Sequence, residues 1–372
     1  MNQIDDEQLI YRLALHLLPG IGPVTARNLV SYCGGVKEIF HRRKSELERI
    51  PSIGPERAKE IVKYKSFDKI HEELKYIKKN KIETLFYLDK NYPQRLRNCD
   101  DAPILLFYKG NADLNAKRII SIVGTRHITS YGKEMTDKLV RELSSYQPII
   151  ISGLAYGVDI QAHRSALKNG LHTVGVVAHG LDKMYPADNA STAEKMFHNG
   201  GILTEYIHGT RPERDNFPAR NRIVAGLTDA VIVIESAIRG GALITADIAN
   251  SYNRDVFALP GRTTDIYSKG CHALIKQNKA TLFECAADIA DAMNWNEKEK
   301  TKKSKQMILF DDFLPDEKTI IEALNQNNFL SIDQLALSSM LPVNMVSSIL
   351  LKLEFEGILI PLPGKVFKLN NG

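Results

Sequence analysis

Between Phe86 and Asp291 six short β-branched runs alternate with helical stretches, a rhythm that predicts an α/β protein built on a doubly wound, mostly parallel sheet. Two further patterns flank it. A glycine-turn repeat near the start predicts a small all-α domain, and a helix, helix, helix, strand, turn, strand order at the end predicts a winged helix. At 372 residues the chain is too long for a single core, so several folding units are expected. The expected division is 1–85 for the helical domain, 86–290 for the sheet domain, 291–315 for a linker and 316–372 for the winged helix.

In the first segment, LPGIGPVTARNLV (Leu18 to Val30) is echoed by IPSIGPERAKEIV (Ile50 to Val62). Each copy reads Pro, small, Ile, Gly, Pro and then an Ala four residues after the Gly. That is a tight turn opening a helix with Pro in its first turn. The pair has the pattern of a tandem helix-hairpin-helix, or SAM-like, domain. Two readings stand: the turns offer backbone N–H groups to DNA phosphates, or the hairpins only pack together.

In the second segment RIISIVGTR, PIIISGLA, HTVGVVAHG, GILTE, AVIVIE and DVFALPG each read as a buried parallel strand. Several end in Gly or a small polar residue ahead of a helical stretch, which makes the sheet Rossmann-like. Residues 294–315 are lysines and acids without a period and read as an exposed linker. In the tail the second helix of the helix-turn-helix, Val343 to Glu356, carries one lysine and two glutamates. A helix that reads DNA bases normally presents Lys, Arg, Asn or Gln, so a protein-contact role is favoured for this domain.

Charge supports the same division. Residues 1–85 hold 16 Lys and Arg against 12 Asp and Glu, whereas residues 316–372 hold 4 against 6. The winged helix is therefore the least DNA-like part electrostatically. The four cysteines are scattered without CxxC spacing, which argues against zinc or a disulfide framework and fits a reducing cytoplasm. The first twenty residues carry three acids, Asp5, Asp6 and Glu7, and no basic n-region, against a secretory signal, and no apolar run reaches the roughly 18 residues of a membrane span. The GxGxxG fingerprint, the GxxxxGK phosphate loop, the GxSxG elbow and the HExxH pair are all absent, so no cofactor and no metal is expected. His163 reads as a structural histidine in preference to a catalytic base.

Ligands of a doubly wound sheet bind beyond the carboxyl ends of its strands. Four strand-end segments are chemically loaded there: GTRHITSYG (124–132), SGLAYGVDIQAH (152–163), GLDKMYPADN (180–189) and RGGALITA (239–246). Glycines at such turns let backbone amides and helix N-termini approach an anion. NFPARNR, Asn216 to Arg222, adds an aromatic ring among arginines just before AVIVIE, and it reads as a loop at the binding edge. Phe217 between Arg214 and Arg220 supplies a flat ring within a basic track, the combination single-strand binders use. Phe217 could instead anchor a loop, Asn221 could brace it, and Arg222 could pair with Glu235 or Asp229.

These segments, with ESAIRGGALITADIA, FALPG and SKGCHALI in the same order and spacing, closely resemble the DprA/Smf DNA-processing proteins. The resemblance covers residues 86 to 290. It implies a bacterial cytoplasmic protein, not an enzyme, that binds and shields single-stranded DNA taken up in natural transformation and loads RecA onto it. It implies a pocket of Gly124, Thr125 and Arg126, the Ser152-Gly153 turn, Arg214, Phe217, Arg220, Asn221 and Arg222, with Arg239, Gly240 and Gly241 close by. Alanine at Arg126 and Arg220 together is then expected to weaken binding and leave the fold intact. It also implies a homodimer through the segment near His272 to Leu282. The sequence departs from the family in places. Gly240-Gly241-Ala242 stands where many relatives read SGS, which removes two hydroxyls, and His272 stands where many have Asn.

An enzyme acting on nucleoside monophosphates is the competing reading, because related folds carry a PGGxGTxxE stretch where ESAIRGGALITADI lies. Here Arg239 replaces the Pro, Leu-Ile replaces the Gly-Thr, and no Glu follows at the matching step. A sequence-specific transcription factor is disfavoured by the negative charge of the winged helix.

Overall fold

A computed structural model describes residues 6–64, 67–295, 313–327, 329–362 and 366–369. The chain forms two compact units, Met1–Met293 and Asn294–Gly372. Most of the expected linker and the turn between the last two strands lie outside the described residues.

The first unit opens with helices α1 (Asp6–His16), α2 (Pro23–Cys33), α3 (Val36–Ile39), α4 (Lys44–Leu47), α5 (Pro55–Lys63) and α6 (Phe67–Asn80). The sequence repeat is a repeat of backbone as well. Gly20 and Ser52 take φ of 71° and 69°, Gly22 and Gly54 are N-caps at φ −81° and −82°, and Pro23 and Pro55 open the two helices. Ala26 and Ala58 occupy equivalent buried positions, each donating its N–H to the capping glycine's carbonyl. Arg27 of the first hairpin reaches the carbonyls of Cys99, Asp100 and Ala102. That hairpin is thereby tied to the sheet region, and the helices share a core with Phe86, Ile104, Leu105 and Phe107.

The sheet has nine strands: β1 (Glu83–Phe86), β2 (Leu105–Gly110), β3 (Ile119–Val123), β4 (Ile149–Ser152), β5 (Thr173–Val176), β6 (Gly200–Thr204), β7 (Ala230–Val233), β8 (Asp255–Ala258) and β9 (Thr281–Leu282). Their order is β1-β2-β6-β5-β4-β3-β7-β8-β9. β3 to β9 pair in parallel and β1 and β2 add an antiparallel edge. All six strands expected from the sequence are present, and the fold is the Rossmann-like sheet they predict. Every residue of β3, β4, β5, β6 and β7 is buried, which is why these runs are apolar without alternation. β1, β2 and β9 lie at the sheet's two margins, where the sequence signal is weaker.

Helices α7 (Gln94–Arg97), α8 (Ser130–Leu143), α9 (Val158–Lys168), α10 (Ala190–Met196), α11 (Asn216–Gly226), α12 (Gly241–Ser251), α13 (Lys269–Lys276) and α14 (Ala286–Ala292) complete the unit. α8 packs on α9, and α11 on α12. One sheet face, through Val123, Ile151, Val176 and Val231, meets Ile223 and Val224 of α11 and Ala242, Ala246 and Ala249 of α12. The chain runs outward from β3 through β4 and β5 to β6, then returns to place β7 on the other side of β3. The carboxyl ends of β3 and β7 are therefore the topological switch point, where a cleft opens between diverging connections.

The second unit has α15 (Pro315–Gln326), β10 (Leu330–Ser331), α16 (Ile332–Ser339), α17 (Val343–Phe355), β11 (Leu359–Leu362) and β12 (Val366–Leu369), with strand order β10-β12-β11. Ile320, Leu324, Leu335, Val346, Leu350, Leu353 and Leu359 form its core. Ser331 and Gln334 make a reciprocal capping box that starts α16. This is the winged helix. Among the described residues no single helix is long and apolar enough to cross a membrane.

Candidate nucleic-acid interface

At the switch point lies a cavity of about 630 Å³, lined by residues that include Gly124, Thr125, Arg126, Gly153, Arg214, Phe217, Arg220, Asn221, Gly240 and Gly241. Ten of the thirteen residues singled out from the sequence therefore meet in one place. The loop after β3 brings Gly124 to Arg126, and Thr125 is pinned there by its N–H to the Glu235 carbonyl (2.7 Å). The loop after β4 crosses it closely. A Cβ on Gly157, at φ 79°, would lie 2.1 Å from the Thr125 carbonyl oxygen, so only glycine fits. The loop after β7 leads into α12, whose N-terminus at Gly240 and Gly241 has no side-chain cap and lines the cavity. Uncapped N–H groups at the positive end of a helix dipole favour an anion.

Asn216 to Gly226 is a helix, α11, which corrects the reading of FPARNR as a loop. Pro218 lies in the first turn, where its missing N–H is no loss. Helical geometry then sorts the residues, at about 100° per residue. Phe217, Arg220, Asn221 and Val224 fall on one face and line the cavity, whereas Arg222 is turned well away from them. Its guanidinium bonds the Glu205 carboxylate and the Asp101 carbonyl. Neither expected partner is used, since Asp229 pairs with Arg95 and Glu235 accepts from Thr129. Arg222 braces α11 against the sheet and is not part of the cleft.

Phe217 is half-buried at the cleft, with the Arg126 guanidinium 5.4 Å from its ring centroid and the Tyr185 ring 6.0 Å away. Arg126 and Arg214 are exposed. Arg220 is not: it is only 4% exposed, and its Nη1 donates to the Gly153 carbonyl (2.6 Å) and to that of Val176. Its Nε donates to Asn221 Oδ1 (3.2 Å), and Asn221 itself lines the cavity. A Cβ on Gly153 would lie 2.5 Å from the guanidinium, so this glycine is the seat of Arg220. Burial lowers the Arg220 pKa and raises that of Asp159 below the cavity, and the attraction of each charge partly offsets the shift of the other. Arg220 is thus first a structural cation and only at its tip a feature of the cleft wall.

Two further corrections follow. Ser152 is fully buried, its hydroxyl donating to the Ile122 carbonyl (2.6 Å), so it joins β4 to β3 and cannot reach a ligand. Arg239 is exposed but lies outside the residues that line the cavity. His163 is fully buried with Nδ1 against Thr173 Oγ1 (2.6 Å), and burial lowers its pKa to about 3. Because the Thr173 hydroxyl donates to the Ile150 carbonyl, His163 must donate to it, as a neutral imidazole does. Sequence reasoning passed over Asp159 and Tyr185. Both lie inside loaded segments, SGLAYGVD and GLDKMYPADN, but nothing in the spacing distinguishes an aspartate under a buried arginine or an exposed ring beside Phe217.

The fold and cleft define a class: a Rossmann-like sheet with an arginine and aromatic cleft at its switch point, carrying helix-hairpin-helix and winged-helix units. Residues 83–294 match the family model of DNA recombination-mediator protein A, 314–365 match the DprA winged helix domain, and 13–75 match a SAM-like helix-hairpin-helix tandem. The chain belongs to the DprA/Smf family. It is 42% identical over 209 residues to DNA processing protein DprA of Streptococcus pneumoniae, covering 56% of this chain and 73% of that protein. Protein Smf of Synechocystis is 30% identical over 386 residues, covering 95% of this chain and 97% of its own length. Among solved structures, S. pneumoniae DprA superposes with a TM-score of 0.67 at 33% identity, over 76% of this chain and 97% of that one. DNA processing protein A from Helicobacter pylori, whose structure concerns its single-stranded DNA binding mode, gives 0.52 at 31% identity, over 57% and 95%.

Proposed function

We propose that this protein binds single-stranded DNA without sequence preference in the switch-point cleft, shields strands entering the cell during natural transformation, and loads RecA onto them for recombination. One observation carries the binding reading: the Phe217 ring lies beneath the Arg126 guanidinium at a cavity rimmed by Arg214 and by the uncapped N-terminus of α12. Arg126, Arg214 and the α12 amides suit phosphates, and Phe217 suits a base. The role is non-catalytic and cytoplasmic and needs no cofactor. Asp159, the one carboxylate among the cavity-lining residues, accepts from the Gly153 N–H (3.1 Å) and offsets the charge of Arg220, which leaves it poorly placed as a base.

A homodimer through the segment His272 to Leu282 is part of this reading. β9 is an edge of the sheet and Leu282 on it is 45% exposed, a paired-edge geometry a second copy could complete. His272 contributes from α13, where its Nε2 lies 3.0 Å from the Gly261 carbonyl oxygen. Fluorescence anisotropy with oligo-dT and with duplex of equal length tests the function. Salt-sensitive binding that prefers the single strand is expected, and RecA filament assembly on protein-coated strands should accelerate. Equal affinity for duplex, or release of base from AMP, would overturn the reading in favour of a duplex binder or a nucleotide hydrolase.

A further inference from the structure

Resting on the single-strand reading of the cleft, we propose that Tyr185 is a second base-stacking platform, so that the bound strand leaves Phe217 across the carboxyl ends of β4 and β5 with two successive bases on two separate rings. Tyr185 is 45% exposed, yet its backbone is fixed. Its N–H donates to Nε2 of buried His179 (3.3 Å), whose Nδ1 lies 2.9 Å from the Gly180 carbonyl oxygen. Pro186 beside it is buried, and Asn189 ties the end of the loop to the Leu154 carbonyl (2.9 Å). The ring is therefore held out by a rigid mount, which lowers the entropy lost when a base settles on it.

The first turn of α11 is bound to the same loop system. Asn216 Nδ2 reaches the Ala178 carbonyl (3.4 Å), and Arg220 holds the Val176 carbonyl. The distance between the Phe217 and Tyr185 rings is thereby set by the fold. Their centroids are 6.0 Å apart and their planes meet at 51°. Bases stacked on one another rise only about 3.4 Å per step and stay parallel. Two neighbouring bases that occupy both rings must part from each other, which a duplex allows only at an unstacking cost of about a few kcal/mol per step. The pair therefore selects for single strands as well as binding them. Tyr156, in the loop after β4, is also 44% exposed, and its hydroxyl donates to Asp188 (2.9 Å), three residues after Tyr185.

The test uses the full-length chain, labelled short oligo-dT, and a scan in which an abasic nucleotide replaces each base in turn. Tyr185→Ala is expected to weaken binding roughly 5- to 150-fold, Tyr185→Phe to bind like the parent, and Tyr185→Leu, which keeps bulk but not a flat ring, to behave like the alanine variant. The parent should show two adjacent positions where a missing base costs affinity, and Tyr185→Leu should lose the penalty at one of them. Affinity unchanged in Tyr185→Leu, or both penalties persisting, overturns the second platform. Phe217→Ala is the control: if it also binds like the parent, the cleft reading fails; if it alone weakens binding, only the Tyr185 proposal falls. Thermal unfolding of each variant excludes misfolding as the cause.

Discussion

Arg220→Ala should damage the fold before it damages the site. The guanidinium is buried, donates to two backbone carbonyls and faces Asp159. Truncation leaves the Gly153 and Val176 carbonyls without a donor and the Asp159 carboxyl without its countercharge. Breaking a buried pair from one side costs about 3–5 kcal/mol. The loss of hydrogen bonds to a charged donor, at about 1.5–3 kcal/mol each, is part of that sum and not an addition to it. Asp159 can relieve some of the cost by taking up a proton, since burial has already raised its pKa. A loss of about 3 kcal/mol, the lower end of that range, is therefore expected. Urea unfolding followed by far-UV circular dichroism would show the sheet unit's midpoint falling with little change in slope. The companion variant Asp159→Asn should cost less in the Arg220→Ala background than in the parent. Arg220→Ala unfolding within about 1 kcal/mol of the parent, with no coupling to Asp159, would refute the argument and return Arg220 to the role of a free DNA contact.

The other predictions separate contact from support. Phe217→Ala should lower oligo-dT affinity by about 1–3 kcal/mol, the worth of one base stack, with little effect on an equal-length duplex; equal loss on both would contradict a stacking role. Arg126→Ala and Arg214→Ala should each reduce the slope of log affinity against log salt by about 0.7, measured by anisotropy over a salt series, at unchanged thermal stability. Arg222→Ala should do the reverse, lowering the unfolding midpoint because the half-buried Glu205 loses its partner while the salt slope holds. His163 supplies a pH test. Its folded pKa of about 3 lies below the ordinary 6.5, so its contribution is complete above pH 6.5 and is lost as pH falls, when the unfolded chain takes up the proton first. Between pH 6.5 and 5 that amounts to about 2 kcal/mol, and His163→Gln should make the stability profile shallower across that interval.

The sequence by itself determined the fold class, because buried parallel strands must be apolar on both faces and glycine turns must sit at their ends; RIISIV, PIIIS and AVIVI are short, β-branched and closed by small residues, as such strands are. It determined the helix-hairpin-helix repeat, since Pro fixes φ in the first turn of each helix and Gly tolerates the tight turn before it, whereas the positive φ that Ser52 shares with Gly20 is visible only in the structure. It also assembled most of the cleft, because residues at strand ends of one parallel sheet converge whatever lies between them. What only the tertiary structure decided was the direction in which each polar side chain points. Arg220 and Arg222 are two residues apart and chemically alike, and they part company because a helix turns them by about 200° relative to one another. Ser152 ends a strand like a ligand contact yet turns inward to a neighbouring carbonyl. Tyr185 is one ring among fourteen tyrosines, and only the placement of α11 brings Phe217 within 6.0 Å of it. Local patterns set backbone conformation through sterics and burial, whereas the partner of a charge or ring is fixed by segments distant in the chain, 17 and 121 residues away for the Arg222 bonds to Glu205 and Asp101.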